Sequence, residues 1–298
     1  MKEKKGKLAR KEAREGYLYA LPWFIGFTVF TAGPIIASFL LSFTNWDLIR
    51  PAEWIGFGNY NMLLEDPLFW QSLKVTSIYA LFSVPLGILG GLAIAVLMNQ
   101  KIKGLSVFRT IYYLPAVVSG VAVSLLWSWI FNPDFGVLNY LLSLIGINGP
   151  GWIYDEKWAL PSLIIMSLWG VGGGMVIYLA GLQGVPTELY EAAIIDGASS
   201  WRRFWSITIP MISPVIFFQL IMGIIGSFQI FTQAYIMTGG GPNNATLFYV
   251  LYLYRNAFQW FKMGYASALA WVLFIVILIL TIIQFKLANR WVYYEGGK

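Results

Sequence analysis

One charge-free stretch carries a run of neutral polar side chains, Gln219, Ser227, Gln229, Thr232 and Gln233, in otherwise apolar sequence. Carboxamides donate and accept hydrogen bonds at once, so such a set suits hydroxyl groups. An unpaired amide in hydrocarbon is costly, so these groups must face protein or water. They either bond neighbouring helices or form a polar wall along a solute path. A second cluster, Trp169, Gly170, Gly172, Gly173 and Gly174, brings bare backbone and an aromatic plane into another apolar stretch. It serves either close helix packing or the same path. The side chains that most covalent and metal chemistry needs are missing. The chain has no His and no Cys. That excludes imidazole and thiolate metal ligands, cysteine nucleophiles and the commonest general base near neutral pH. The adjacent acids Asp155 and Glu156 point apart on a helix or a strand and read as a solvated loop. A membrane-embedded enzyme is therefore disfavoured.

What must position these groups is an unusually apolar chain. Of 298 residues, 58% are apolar and 11% charged, and the mean hydropathy is +0.66. A soluble domain is about 25% charged, so the composition points to an all-α integral membrane protein. Six windows without Asp, Glu, Lys or Arg are each long enough for one crossing. They predict spans over 17–44, 73–98, 107–131, 159–183, 212–236 and 264–287. The run from Thr238 to Asn244, rich in Gly, Pro and Asn, reads as a turn after the fifth span.

Orientation follows from Lys and Arg. The tail Lys2–Arg14 and the segments 99–109, 184–210 and 286–298 together hold 15 of them, against five in the alternate loops. Both termini are therefore expected in the cytoplasm. The basic tail, 1–16, reads as a topology signal resting on anionic lipid rather than as a nucleic-acid arm. The spanning domain occupies 17–298. Its spans carry almost no charge, with Lys74, Arg109 and Lys286 near interfaces. A proton-coupled carrier needs a titratable group in its path. Uphill transport would thus take its energy from outside the membrane part; a passive pore is the other option.

The segment 186–210, between spans four and five, has its own design. Pro186 and Thr187 start a short amphipathic helix, with Thr187 as N-cap and Glu188 and Glu191 near its positive end. Gly197 ends it by taking a positive φ. A second short helix, Ser199–Ser206, leads back to the membrane at Pro210. Physically this is either an interfacial helix or a docking knob.

The sequence Glu191-Ala192-Ala193-Ile194-Ile195-Asp196-Gly197-Ala198, followed by Ile207-Thr208-Ile209-Pro210, closely resembles the EAA loop of bacterial ABC importer permeases. Further matches run along nearly the whole chain: Ser42–Trp46, Gly56–Tyr60, Asp66–Trp70, Phe108–Pro115, Asn132–Gly136 and Thr238–Pro242 resemble the carbohydrate-uptake permeases, more the MalF-like than the MalG-like member of the pair. The resemblance implies a type I importer permease fold in a bacterial cytoplasmic membrane. It also implies a second homologous permease subunit, two ABC ATPases, an extracellular solute-binding protein and a carbohydrate substrate, with no nucleic acid. A glycerol phosphate is the alternative solute. Glu191, Ala192, Ala193, Asp196, Gly197 and Ala198 would form the coupling helix seated in the ATPase. No Gly-x-x-x-x-Gly-Lys-Ser/Thr occurs, so no nucleotide site of its own is expected, and no cofactor; ATP and magnesium would be held by the ATPases. From the family's sugar-contacting spans, Ser119, Trp169, Ser227, Gln229 and Gln233 are the expected substrate contacts.

Overall fold

The computed structural model describes residues 7–100 and 103–294. In chain order the helices α1 (Lys7–Phe27) and α2 (Gly33–Leu41) come first, then the short strands β1 (Thr44–Asn45) and β2 (Glu53–Trp54). They are followed by α3 (Gly58–Glu65), α4 (Pro67–Met98), α5 (Leu105–Val117), α6 (Gly120–Ile130), α7 (Val137–Leu144), α8 (Ala159–Ser167) and α9 (Gly172–Gln183). The remainder are α10 (Thr187–Ile195), α11 (Ser200–Arg203), α12 (Ile209–Met211), α13 (Ser213–Phe228), α14 (Tyr249–Tyr254) and α15 (Met263–Ala288). Lys2, Lys4, Lys5, Lys101 and Lys298, used above for orientation, lie outside the described residues.

Three helical stretches, Lys11–Leu41, Pro67–Met98 and Met263–Ala288, are long and apolar enough to cross a membrane. Three bent pairs, 105–117 with 120–130, 159–170 with 172–183, and 200–211 with 213–228, raise the number to six if each pair is one span. Three stretches expected to be single helices are therefore interrupted, and one of them, 159–183, bends by 45° between α8 and α9. Over 107–131 the chain breaks at Val118 and Ser119 and turns by 99°. There the extended Ser119 N-caps α6, its hydroxyl accepting the Ala122 N–H at 3.3 Å. Over 212–236 the helix ends at Phe228, with Gln229 as its C-cap. Hydrophobicity does not register either break because both flanks are equally apolar.

Two prolines leave the same mark. Single π-turns, Thr28–Ala32 and Phe204–Thr208, stand just before Pro34 and Pro210. A proline in a helix lacks its N–H and its ring collides with the carbonyl four residues back. The wider turn moves that carbonyl aside, so the helix continues.

The described chain divides into two compact units. The first comprises residues up to Glu65 together with Arg255–Trp271. In it, β1 and β2 pair antiparallel with Thr44 opposite Trp54. Buried Asn59 of α3 donates to the carbonyls of Ser42 and Thr44 at 2.8 and 2.9 Å, locking the turn after α2. Asp47 accepts the backbone N–H groups of Arg50 and Ile49, and these bonds hold its carboxyl below its ordinary pKa. Trp271 donates its indole N–H to Ser38 at 3.2 Å and meets Phe39 edge-on.

The second unit comprises Asp66–Tyr254 and Val272–Lys298. Here α4 is the central post, packed by α9, α13, α8 and α14. Small residues allow the helices to approach closely. A Cβ on Gly91 would come to 3.2 Å from the Tyr178 ring, one on Gly223 to 3.0 Å from Val84, and one on Gly181 to 2.9 Å from Val215. Gly172 is the tightest case: its α-carbon passes over the Tyr112 carbonyl, and a side chain would strike that backbone. Leu92, Ala95, Met98, Met175, Leu179 and Ile212 form the buried core beneath these crossings. Arg109 donates to the Met98 carbonyl at 2.7 Å, capping the C-terminal end of α4 with a cation.

Candidate functional site

In the second unit a cavity of about 540 Å³ opens among α4, the α8–α9 break and the end of α13. Its polar lining is Tyr79, Ser83, Ser167, Tyr178, Gln219, Ser227, Gln229, Thr232 and Gln233, and no Asp, Glu, Lys or Arg lines it. The ends of interrupted helices supply this wall. Gln229 stands at the C-cap of α13 and Gln233 just before the π-turn Ala234–Thr238, so the break aims amides into space that a continuous helix would fill with its own turn. The carboxamides of Gln219, Gln229 and Gln233 make no hydrogen bond among the described residues. The Ser227 hydroxyl is committed to the Ile224 carbonyl at 2.9 Å, and Ser227 is nearly buried.

The structure thus brings Ser227, Gln229 and Gln233 to one cavity. Ser119 and Trp169 lie outside its lining. Ser119 is exposed and caps α6, while Trp169 is half exposed and meets Trp127 edge-on at 5.9 Å. Gly170 and Gly174 line the cavity, whereas Gly172 serves the α5–α9 crossing, so the glycine cluster does both jobs. Gln219 lines the same cavity and belongs to the polar run visible in the sequence. Tyr178, which also lines it, has no sequence signal, because a tyrosine in an apolar helix reads as core or as interfacial belt.

The second feature is the elbow 186–210. Thr187 is the first residue of α10 and makes no cap bond; Pro186 holds the cap position, where it supplies the extended backbone that starts the helix. The C-terminus closes as expected: Gly197 has φ +76°, its N–H bonds Ile194, and the Ala198 N–H bonds the Ala193 carbonyl at 2.9 Å. This is a Schellman closure, which needs the left-handed residue that glycine supplies. Ser199 then caps α11, accepting the Arg202 N–H. The elbow is braced, not free. The Tyr190 hydroxyl lies 2.9 Å from that of Thr208, and Tyr190, Ile207, Ile209 and Met211 pack on the buried core around α4 and α9. Its outer face is open: Glu191, Ala192, Asp196 and Gly197 are exposed, Ala193 and Ala198 are half-buried, and Ile195 is 86% exposed.

A mostly helical chain with several apolar spans, an uncharged polar cavity and a braced elbow with an exposed apolar tip defines a multi-pass membrane component. The chain belongs to the family of binding-protein-dependent transport system inner membrane components, which it matches over residues 83–293. It is similar to a probable ABC transporter permease protein of Bacillus subtilis, YesP, at 45% identity over 98% of this chain and 96% of that one. It is also similar to the lactose transport system permease protein LacF of Rhizobium radiobacter, at 38% identity over 92% and 94%. Among solved structures it resembles a bacterial alginate ABC transporter in complex with an alginate pentasaccharide-bound periplasmic protein. That likeness has a TM-score of 0.83 at 25% identity, over 96% of this chain and 98% of the other. The fold is that of a type I ABC importer permease.

Proposed function

We propose that this chain is a permease subunit of an ATP-driven importer that takes up a sugar or oligosaccharide delivered by an extracellular binding protein. The observation that carries the reading is the cavity: free carboxamides around a space without charge suit a hydroxyl-rich solute. Named relatives that handle lactose and alginate support the carbohydrate class. Gln229 and Gln233 would bond solute hydroxyls directly, with Ser227 beside them. Ser119 and Trp169, on an exposed flank of this chain, would meet solute from the side completed by a second, homologous permease subunit. The uncharged lining disfavours a glycerol phosphate, which needs a cation to balance it.

All six apolar stretches would cross a bacterial cytoplasmic membrane with both termini inside. Two ABC ATPases would bind ATP and magnesium, and this chain would contribute no nucleotide site. Glu191, Ala192, Ala193, Asp196, Gly197 and Ala198 would seat in an ATPase cleft as the coupling helix. Because the elbow is packed on the α4–α9 core, a displacement there would reach the cavity helices as a rigid movement rather than be absorbed locally.

The test is reconstitution. Vesicles holding the full complex should accumulate lactose, maltose or an oligosaccharide from a defined panel only with ATP and the binding protein present. Passage of the panel sugars through vesicles containing this chain alone would instead establish a passive channel.

A further inference from the structure

Tyr178 sits on α9 at 1% exposure, its hydroxyl buried without a hydrogen-bond partner, and it lines the 540 Å³ cavity. A phenol left dry and unbonded is costly, and buried phenols usually find a partner. The surroundings are arranged around this ring. Gly91 of α4 lies beneath it, where any Cβ would come to 3.2 Å from the ring edge. Gly174, one turn earlier on α9, faces both the ring and the Gln219 amide: a Cβ there would lie 3.7 Å from the Tyr178 ring and 2.8 Å from the Gln219 nitrogen. The Tyr178 ring and the Gln219 amide are thus neighbours across Gly174, each with unused hydrogen-bonding capacity. Gln219 precedes the end of α13 by nine residues, roughly 14 Å along the axis. The pair therefore stands well toward the elbow end of the cavity from Gln229.

We infer that Tyr178 and Gln219 form a second, inner polar station for a hydroxyl-rich solute, reached after the Gln229–Gln233 wall and nearer the elbow. The inference rests on the carbohydrate reading above. The phenol gives one donor and one acceptor, and the amide gives both, so together they can hold two adjacent sugar hydroxyls without selecting a charge. Gly91 and Gly174 make the room.

The chain has no cysteine, so Gln219→Cys and Gln229→Cys each place a single thiol in it. In the complex embedded in membranes, each variant is labelled with methyl methanethiosulfonate and with a glucosyl methanethiosulfonate. The labelled chain is then resolved by size. Both thiols should accept the glucosyl reagent. Adding Tyr178→Phe to Gln219→Cys should slow the glucosyl reaction about threefold to tenfold relative to the methyl one, the worth of one neutral hydrogen bond. Labelling at 229 but not at 219, in a folded variant, overturns the inner station and leaves the outer site standing. No labelling at either position overturns both readings. An unchanged reagent ratio with Tyr178→Phe shows that the phenol does not touch the sugar and overturns the inference. A higher melting temperature for Tyr178→Phe alone also overturns it, because it would mean that the hydroxyl is dry.

Discussion

Replacing Ile195 isolates the coupling role of the elbow, because the residue contributes almost nothing to the fold. It is 86% exposed at the last turn of α10, one residue before the Asp196 cap. Exposed substitutions of this kind change stability by within about 0.5 kcal/mol. If the tip is buried in an ATPase cleft, truncation to Ala removes three carbons from that contact. At about 0.8 kcal/mol per buried methylene, the loss is about 2 kcal/mol, or roughly thirtyfold in affinity. Ile195→Glu adds the desolvation of a charge and should cost more. The assay is titration of purified ATPase onto the detergent-solubilised permease pair, with a thermal melt of each variant beside it. The expected result is weakened ATPase binding at an unchanged melting temperature, in the order Glu, then Ala, then wild type. Unchanged affinity for both variants would refute the assignment of this tip to the ATPase interface. A fall in melting temperature would refute the view that the tip is uninvolved in the fold.

Two further substitutions test the scaffold. Gly172→Ala should destabilise the second unit by about 1–3 kcal/mol, since the added carbon meets the Tyr112 backbone rather than a movable side chain; a melt matching wild type would contradict the close α5–α9 crossing. Asn59→Ala leaves the Ser42 and Thr44 carbonyls without their buried donor. It should cost about 1–3 kcal/mol and raise proteolytic cleavage in the segment 42–60, with cleavage unchanged as the contrary result.

Much of the elbow was legible because its determinants are local. Pro186 at the start and Gly197 at the left-handed closure are each decided by a few neighbouring residues, and both hold these positions, while Ser199, expected as the first residue of the second helix, stands just before it as its N-cap. Thr187 departs by one position: the extended backbone set by Pro186 makes Thr187 the first helical residue instead of the cap. The cavity was legible only in part. The run of Gln and Ser in 219–233 marks a polar wall, and Ser227, Gln229 and Gln233 do converge. Ser119 and Trp169 do not: the chain turns by 99° at Ser119, and neither residue is part of the cavity lining.

Composition alone determined that this chain belongs in a membrane, since so few charges on so much apolar sequence leave no other stable solvent for it. The positions of the apolar stretches and the glycine-closed elbow follow from short-range chemistry in the same way. Which face of each helix turns inward could not follow. In a span that is apolar all round, periodicity carries no phase, and only the meeting of separate helices supplies one. The tertiary structure made that choice through backbone approach at Gly91, Gly172, Gly174 and Gly223. By the same contacts it turned a buried tyrosine, ordinary in the sequence, into a wall of the cavity.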